Sequence, residues 1–397
     1  MANMEISEEL NTTDELYQMR QKIRQRRRKR RNRIIIISII AAAIVLLIVF
    51  IMSVRTYSSY KIVSSAGRED EEAVGYEEYQ KGYIRYSTGG AEYVDASGGK
   101  KWNIAYSMSS PQCKINGDMV AVGDIKGNKI MIFNKGGQVG AFETKYSILQ
   151  LEVARSGAVA AVLQNNSEDY INLYNKDGRL VYTVKTSLEG EGYPVDIAIS
   201  GDAAKLAVSF VKTSGANVST RVAFYDFSKS NTGNNDRVVG EFNNFDGKII
   251  GAIGFISDTT PVAVSENSVT YYTFNGRPQE SKKTVIDGEI SKVIWGDRKM
   301  ALVMPSGNEE HPNRIMVYNA SGSRTCDRTF GAEYDTYNMS DGRVIMKGNH
   351  AFGVMDASGK FITQQKLDNN LLAFISNGGK SRYFLINERY VQRIRLK

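Results

Sequence analysis

The sequence predicts an all-β protein, a seven- or eight-bladed β-propeller, preceded by one transmembrane α-helix. From about residue 76 to the end, short strand-like runs alternate with turns rich in Gly, Asn, Asp and Ser. A strand followed by Asn or Asp and then Gly recurs at steps of 37 to 51 residues, a period typical of propeller blades. Near the N-terminus, 19 uncharged residues, Ile34–Met52, follow a run dense in arginine and lysine, which predicts the helix.

The membrane segment comes first in the chain. As a helix rising about 1.5 Å per residue, Ile34–Met52 would span nearly 30 Å, roughly the hydrocarbon thickness of a bilayer. We therefore expect a cytoplasmic basic arm over 1–33, a transmembrane helix over 34–54, and the rest of the chain outside the cytoplasmic membrane, because positive charge stays inside. The orienting cations are Arg26, Arg27, Arg28, Lys29, Arg30, Arg31 and Arg33. A cleaved signal peptide is the alternative, but the apolar run is longer than such a peptide needs.

Charge is concentrated at this junction. The chain has 51 basic and 43 acidic side chains, a net charge of +8, and residues 1–33 contribute 10 basic and 5 acidic side chains, or +5 of that total. A basic run beside an anchor favours anionic lipid headgroups as its partner. A membrane-tethered nucleic-acid binder is the alternative reading of the same residues, and we do not expect a nucleic-acid partner.

After the anchor, residues 55–75 are serine-rich and then acidic, which predicts an extracytoplasmic linker before a propeller domain over 76–397. Turn signals divide that domain into units near 76–106, 112–144, 147–190, 193–245, 248–287, 289–331, 333–367 and 369–397. The first unit lacks a recognisable inner strand and the last lacks an outer one. Eight blades with imperfect ends, or seven blades closed by Lys101–Tyr106, both fit, and we favour eight. Either closure requires the C-terminus to pair with an early blade, because an open ring leaves bare sheet edges.

The recurring turns have a local physical explanation. An Asn or Asp side chain caps the turn, and Gly takes the positive φ that a tight turn requires. We interpret these residues as structural hairpins between the third and fourth strands of a blade rather than as ligand sites. They are Asp95, Gly98, Asn134, Gly137, Asn175, Gly178, Asp226, Asn319, Gly322, Asp356 and Gly359.

Two resemblances follow from particular residues. The run Asp95–Trp102 resembles the docking motif of quinoprotein-like propellers, which implies that Trp102 ties one blade to the next. More broadly, residues from about 55 onward resemble an uncharacterised family, a domain of unknown function, of membrane-anchored propellers from clostridia and related Gram-positive bacteria. The residues that carry this resemblance are Thr56–Tyr60, Gly192–Asp196, Phe224–Phe227 and Ile394–Lys397. It implies a propeller in the cell envelope and implies no site residues.

The sequence contains no recognisable catalytic, metal or cofactor motif. Its two histidines, His311 and His350, have no His or Cys at the spacing of metal ligands, and no nucleophile elbow or phosphate-binding loop is present. Cys113 and Cys326 lie in different units and are interpreted as free thiols, with a disulfide as the alternative. Three insertions are the places where we look for specificity, because loops on a rigid scaffold often bind ligands. They are Lys212–Thr220, Ser228–Arg237 and Gly307–Asn313.

These observations favour a binding or scaffold module that the membrane anchor displays outside the cell membrane, with a protein, peptide or glycan of the envelope as its partner. No enzyme activity and no cofactor are expected. The alternative is an envelope glycan hydrolase or lyase, or a quinone-dependent dehydrogenase, built on the same fold. Converging carboxylates at the mouth of the central channel would favour the enzyme, and an exposed binding surface on a face or rim would favour the module.

Overall fold

The computed structural model describes residues 19, 30, 32–45, 55–68, 73–165, 168–187, 190–214, 217–228, 237–245 and 247–397. They belong to two compact units, Met1–Thr56 and Tyr57–Lys397.

In the first unit, residues 32–45 form a helix, α1, and residues 19 and 30 are also helical. Within the described part of the chain, no helix is both long enough and apolar enough to cross a membrane. The last residues of the predicted span, 46–54, lie outside the described residues, as does most of the predicted arm. The orienting cations Arg26, Arg27, Arg28, Lys29 and Arg31 are among the residues outside the description, whereas Arg30 and Arg33 are described.

The second unit contains eight four-stranded antiparallel sheets, which are the blades of an eight-bladed propeller. The first strand of the chain is β1 (Tyr60–Gly67). Blades 1 to 4 follow in order. Blade 1 contains β2 (Ala73–Tyr79), β3 (Gly82–Ser87), β4 (Gly90–Val94) and β5 (Lys100–Ala105), and blade 2 contains β6 (Pro111–Asn116), β7 (Met119–Asp124), β8 (Lys129–Asn134) and β9 (Gly137–Glu143). Blade 3 contains β10 (Ser147–Val153), β11 (Val159–Gln164), β12 (Asp169–Tyr174) and β13 (Leu180–Thr186), and blade 4 contains β14 (Tyr193–Ile199), β15 (Lys205–Ser214), β16 (Asn217–Asp226) and β17 (Val238–Phe242).

Blades 5 to 8 complete the ring. Blade 5 contains β18 (Ile250–Ser257), β19 (Thr260–Ser265), β20 (Ser268–Asn275) and β21 (Arg277–Val285), and blade 6 contains β22 (Lys292–Gly296), β23 (Lys299–Pro305), β24 (Asn313–Asn319) and β25 (Arg324–Phe330). Blade 7 contains β26 (Thr336–Ser340), β27 (Arg343–Gly348), β28 (Ala351–Asp356) and β29 (Phe361–Lys366), and blade 8 contains β30 (Leu371–Ser376), β31 (Arg382–Asn387) and β32 (Tyr390–Leu396). The first strands of neighbouring blades contact one another around most of the axis, and the fourth strands lie at the rim.

The ring is closed by the N-terminal strand, and this corrects three expectations. The eighth sheet has the order β1-β32-β31-β30, so β1 is its outer strand, paired from Tyr60 opposite Leu396 to Gly67 opposite Tyr390. The seven-bladed alternative is wrong, because Lys100–Ala105 is the outer strand of blade 1. The first blade does have an inner strand, β2. Part of the segment expected to be a linker, 55–75, thus forms strand, and the compact unit begins at Tyr57.

The hydrophobic core is divided among the interfaces between blades. Eight clusters of buried apolar side chains occur in the described residues, each shared by two neighbouring blades. A middle strand such as β11, whose first five residues Val159–Leu163 are all buried, is therefore apolar on both faces and shows no alternation. The cluster between blades 8 and 1, which includes Phe384 and Tyr83, is the smallest of the eight. β1 itself packs on the neighbouring cluster between blades 7 and 8, through Tyr60.

Candidate functional site

The predicted turn residues lie between the third and fourth strands of their blades. Asp95 is representative: its Oδ1 accepts hydrogen bonds from Ser97 N (2.8 Å) and Gly99 N (3.0 Å), and Gly98 has a φ of +85°. A hydrogen bond from Lys101 also holds the pKa of Asp95 below its usual range. The same side-chain capping of the following amides occurs at Asn134, Asn175, Asp226, Asn319 and Asp356. Gly137, Gly178, Gly322 and Gly359 likewise have positive φ. The capping oxygens of these turns therefore accept hydrogen bonds from backbone N–H groups of the same turn.

Trp102 lies on β5 at the rim and contacts blade 2. Its indole Nε1 donates to the carbonyl oxygen of Asn134 at 3.0 Å, and its ring stacks on Phe133 with centroids 5.1 Å apart. This is a tie between neighbouring blades, made at the turn that follows β8.

Four charged side chains of consecutive blades gather at the axis: Glu77 on β2, Lys114 on β6, Glu152 on β10 and Asp196 on β14. The Lys114 Nζ lies 2.5 Å from Glu152 Oε1. Burial raises the pKa of Glu77 and of Glu152, against the opposing charge of Lys114. Burial also tends to lower the pKa of Lys114, but attraction to the carboxylates, Glu152 first, outweighs it and raises that pKa. Three carboxylates therefore share one lysine.

The axial carboxylates are also used to join blades. Asp196 accepts hydrogen bonds from the backbone N–H of Ile197 (3.0 Å) and, across the interface with blade 5, from that of Ile253 (2.8 Å). Burial nevertheless raises the pKa of Asp196 to about 6. Since Asp196 and Glu152 are engaged by protein donors, the geometry is that of a structural network.

A second axial cluster joins blades 7, 8 and 1 on the face that carries the first–second turns. Ser340 Oγ donates to Glu78 Oε1 at 2.6 Å, which links blade 7 to blade 1. Arg343 is 5% exposed, and its guanidinium donates to the Gly379 carbonyl at 2.8 Å and to Asp341 Oδ2 at 2.9 Å. Burial raises the pKa of Glu78 to about 7. The ring is thus held closed near the axis as well as at the rim.

The protonation of Glu78 predicts a pH-dependent stability. Its pKa rises from an ordinary 4.5 to about 7 in the folded protein, so the stabilisation is complete below pH 4.5 and is lost as the pH rises through 7. We expect the free energy of unfolding to fall by about 2 kcal/mol from this group between pH 5 and 8. The Glu78→Gln variant keeps the acceptor for Ser340 and should show a flatter profile in urea unfolding followed by circular dichroism.

The matched control for this experiment is Glu143→Gln, which removes one charge at an exposed position at the end of β9. This control should leave the slope of the pH profile unchanged. The interpretation of Glu78 is wrong if its glutamine variant has the same slope as the wild type, because the remaining slope would then come from Asp196 and the other axial acids.

A large cavity lies between blades 6 and 7, at the end where the second–third loops emerge. It has a volume of about 1390 Å³ and is lined by β25, the connection 331–335, the 348–351 turn and β29. We call it the blade 6/7 cleft. Phe330 and Tyr334, 3% and 9% exposed, lie with Phe361 along its floor. Both histidines of the chain, His311 and His350, lie on it and are exposed. His311 belongs to the insertion Gly307–Asn313, one of the three places named for specificity.

A close backbone approach shapes this cleft. A Cβ at Gly348 would lie 2.3 Å from the carbonyl oxygen of Glu333, so only glycine lets the 331–335 connection pack on the second–third turn of blade 7. The connection is thereby held back against blade 7, and the space between the two outer strands stays open.

Sequence reasoning did not select the axial acids or the blade 6/7 cleft. A signal for the first existed, because Glu77, Lys114, Glu152 and Asp196 recur about one blade apart in strands that are otherwise apolar. The cleft had only the indirect signal of the Gly307–Asn313 insertion, since His350 lies in an ordinary short turn. Within the described ranges, no three His, Cys, Asp or Glu side chains are placed to share a metal ion. Cys113 and Cys326 are both buried and free, and burial raises the pKa of each thiol, that of Cys326 to about 11.

Known structures support the fold. BamB from Moraxella catarrhalis aligns over 86% of this chain and 98% of its own, with a TM-score of 0.52 and 13% identity. Sqt1 from Chaetomium thermophilum aligns over 85% of this chain and 100% of its own, with a TM-score of 0.55 and 13% identity. A second Sqt1 structure, bound to the N-terminus of ribosomal protein L10, covers 82% and 99% with a TM-score of 0.52 and 13% identity. At such identities the likeness shows a propeller fold alone.

Sequence comparison gives a family. None of the curated proteins compared with this chain matches it significantly. The profile of the family of unknown function (DUF5711) matches residues 53–396, which include every strand from β1 to β32. The chain therefore belongs to the family of unknown function DUF5711.

Proposed function

We propose that the protein is a single-pass membrane protein of a Gram-positive envelope that displays its propeller outside the cytoplasmic membrane as a binding module for an envelope protein, peptide or glycan. The observation that carries the binding role is the blade 6/7 cleft, an open space of about 1390 Å³ whose histidines are exposed, on a scaffold whose axial acids are engaged with protein donors. Concave sites with a few convergent polar groups are where ligands bind.

The membrane location is supported by the sequence of Ile34–Met52 and by the exposure of apolar side chains on α1. Ile37 and Ile39 expose 65% and 62% of their surface, and an aqueous solvent would make such exposure unfavourable. Lipid would cover these side chains, and the cations before Ile34 would keep the N-terminus in the cytoplasm.

Labelling of intact cells tests this orientation. Because both native cysteines are buried, the chain gives a low background for a membrane-impermeant maleimide. A Ser321→Cys variant, in the exposed turn after β24, should be labelled in intact cells. An Ala2→Cys variant should be labelled only after permeabilisation. The reverse pattern would contradict the proposed orientation.

Binding is tested by melting the full-length protein with envelope extracts separated into a protein fraction and a wall-glycan fraction. A ligand that binds the folded state raises the melting temperature by mass action. At least one fraction should do so, in line with the Sqt1 propeller that is bound to the N-terminus of ribosomal protein L10. Unchanged melting in both fractions, at concentrations that saturate an ordinary micromolar site, would contradict the binding role.

The enzyme alternative is favoured by one observation, the convergence of Glu77, Glu152 and Asp196 at the axis with raised pKa values. Glycan hydrolases use a carboxylic acid of raised pKa beside a second carboxylate. Release of new reducing ends from wall glycan, abolished in Asp196→Asn and in Glu152→Gln, would establish that activity. Equal release by both variants and the wild type would exclude these acids as the catalytic pair.

A further inference from the structure

The blade 6/7 cleft has a chemistry that points to one class of ligand, and the identity of that ligand rests on the binding role proposed above. The side chains at its rim are His311, His350, Asn349 and Gln364, all exposed, with Gln365 half-buried beside them. A neutral imidazole carries one donor and one acceptor, and a carboxamide carries two donors and one acceptor oxygen. Side chains that both donate and accept hydrogen bonds are suited to ligand hydroxyl groups, which also donate and accept hydrogen bonds.

The charged side chains around the cleft are of both signs, and several are paired with one another. Asp327 is held by Arg314 and Arg324, both at 2.8 Å, and Asp335 by Lys347 at 3.1 Å. The pairing of Asp327 with two arginines lowers its pKa, and the carboxylate stays ionised and occupied. The remaining lining charges, Glu333, Arg328 and Lys366, oppose one another in sign. The cleft therefore presents both signs of charge without a concentration of either, which favours neither a strongly anionic nor a strongly cationic ligand.

The floor of the cleft is aromatic. Phe330 lies 5.9 Å from Tyr334 and 6.0 Å from Phe361, measured between ring centroids. The Tyr334 hydroxyl is already engaged, because Gln364 Nε2 donates to it at 3.4 Å. Phe330 and Tyr334 are nearly enclosed, so the half-buried Phe361 supplies the accessible apolar ring surface of the floor. Such a surface flanked by uncharged groups that both donate and accept hydrogen bonds suits the face of a sugar ring, whose C–H groups are apolar and whose edge carries hydroxyls.

We propose that the blade 6/7 cleft binds a neutral oligosaccharide of several units, with the half-buried Phe361 under one sugar ring and His311, His350 and Gln364 hydrogen-bonding hydroxyl or acetamido groups. The volume, about 1390 Å³, exceeds the 300–1000 Å³ of ordinary small-molecule pockets and accommodates more than a single sugar. An extended polypeptide is the competing occupant. The free outer edges of β25 and β29 could pair with one, but such an edge is present on every blade and does not single out this cleft.

Calorimetric titration of the full-length protein, kept in a detergent without a sugar headgroup, tests the proposal with two neutral probes, chitotetraose and cellotetraose. At least one should bind. His350→Ala and Gln364→Ala should each weaken that binding about tenfold, because each removes a side chain that hydrogen-bonds the ligand. Both positions are exposed, so His350→Ala should melt like the wild type, and Gln364→Ala, which also loses the long hydrogen bond to the Tyr334 hydroxyl, should melt only slightly lower. The matched control is Gln138→Ala, an exposed glutamine on β9, the outer strand of blade 2, and it should bind as the wild type does.

Two results would overturn the assignment. One is the absence of binding by either tetrasaccharide, or binding that His350→Ala and Gln364→Ala leave unchanged. The other is a covalent adduct with a polypeptide when His350 is replaced by the photoreactive p-benzoylphenylalanine and cells are irradiated. That second result would leave the binding role and the envelope location standing, since a protein partner satisfies both, and it would reject the glycan alone.

Discussion

A chain that lacks residues 57–67 should unfold at much lower denaturant concentration than the intact chain, because it cannot close the ring. The deletion removes β1, which pairs with β32 along its length, and also removes Tyr57 and Tyr60, which pack against the core between blades 7 and 8. At about 1 kcal/mol for each backbone hydrogen bond lost, we expect a destabilisation on the order of 5 kcal/mol or more. Urea unfolding followed by circular dichroism measures it.

Two controls make this result specific. A chain that begins at Arg55 keeps β1 and should unfold like the intact protein. A synthetic peptide of residues 57–67, added to the deleted chain, should restore stability in a concentration-dependent manner, because it refills the outer edge of blade 8. A deleted chain that remains monomeric and equally stable would mean that blade 8 does not need its fourth strand.

Gly178→Val should destabilise the propeller by about 4 kcal/mol. Gly178 has a φ of +80°, which a β-branched residue adopts only at a cost of about 1–3 kcal/mol. In addition, a Cβ at this position would lie 2.5 Å from the Cβ of Phe142, so the turn of blade 3 would be pushed away from blade 2. The change in free energy of unfolding is obtained from urea titration of purified variants.

Gly276 provides the matched control, because it occupies the corresponding turn of blade 5. Its φ is also +80°, but a Cβ at this position would have no atom within 4 Å. Gly276→Val should therefore cost only the conformational part, about 1–3 kcal/mol. Equal effects of the two substitutions would show that the contact with Phe142 carries no energy, and the absence of either effect would contradict the assignment of these glycines to blade turns.

The repeat was readable from sequence because its signal is local. Each Asn or Asp with its Gly specifies one turn within four residues, so Asn134 and Asn319 mark their blades regardless of the rest of the chain. The same locality explains why the unit boundaries from 112 to 367 agree closely with the strands of blades 2 to 7. The eight blades favoured by the sequence are confirmed.

The strand that closes the ring, β1, could not be predicted from sequence in the same way. Tyr60–Gly67 is short, its side chains from Lys61 onward are exposed, and it lies in a serine-rich stretch before a run of acids, all of which resemble a linker. What makes it a strand is pairing with distant residues, for example Ser65 with Gln392, which lies 327 residues away. No periodicity within the segment reports such a partner.

The blade 6/7 cleft was missed for a related reason. Its rim combines an insertion in blade 6 with a short turn in blade 7, and its depth depends on the packing of Gly348 against Glu333. Sequence patterns locate loops but do not give the distance between neighbouring blades. The insertion Gly307–Asn313 was the only part of the cleft that the sequence singled out.

The position of β1 has a consequence for how the protein is made. The ribosome synthesises this strand before any blade, yet its partner Tyr390–Leu396 is made after every other strand of the propeller. Blades can assemble one after another as they emerge, while the earliest strand stays unpaired until β32 has been made. Synthesis of β32, rather than the maturation of any single blade, therefore sets the earliest moment at which the native ring can exist.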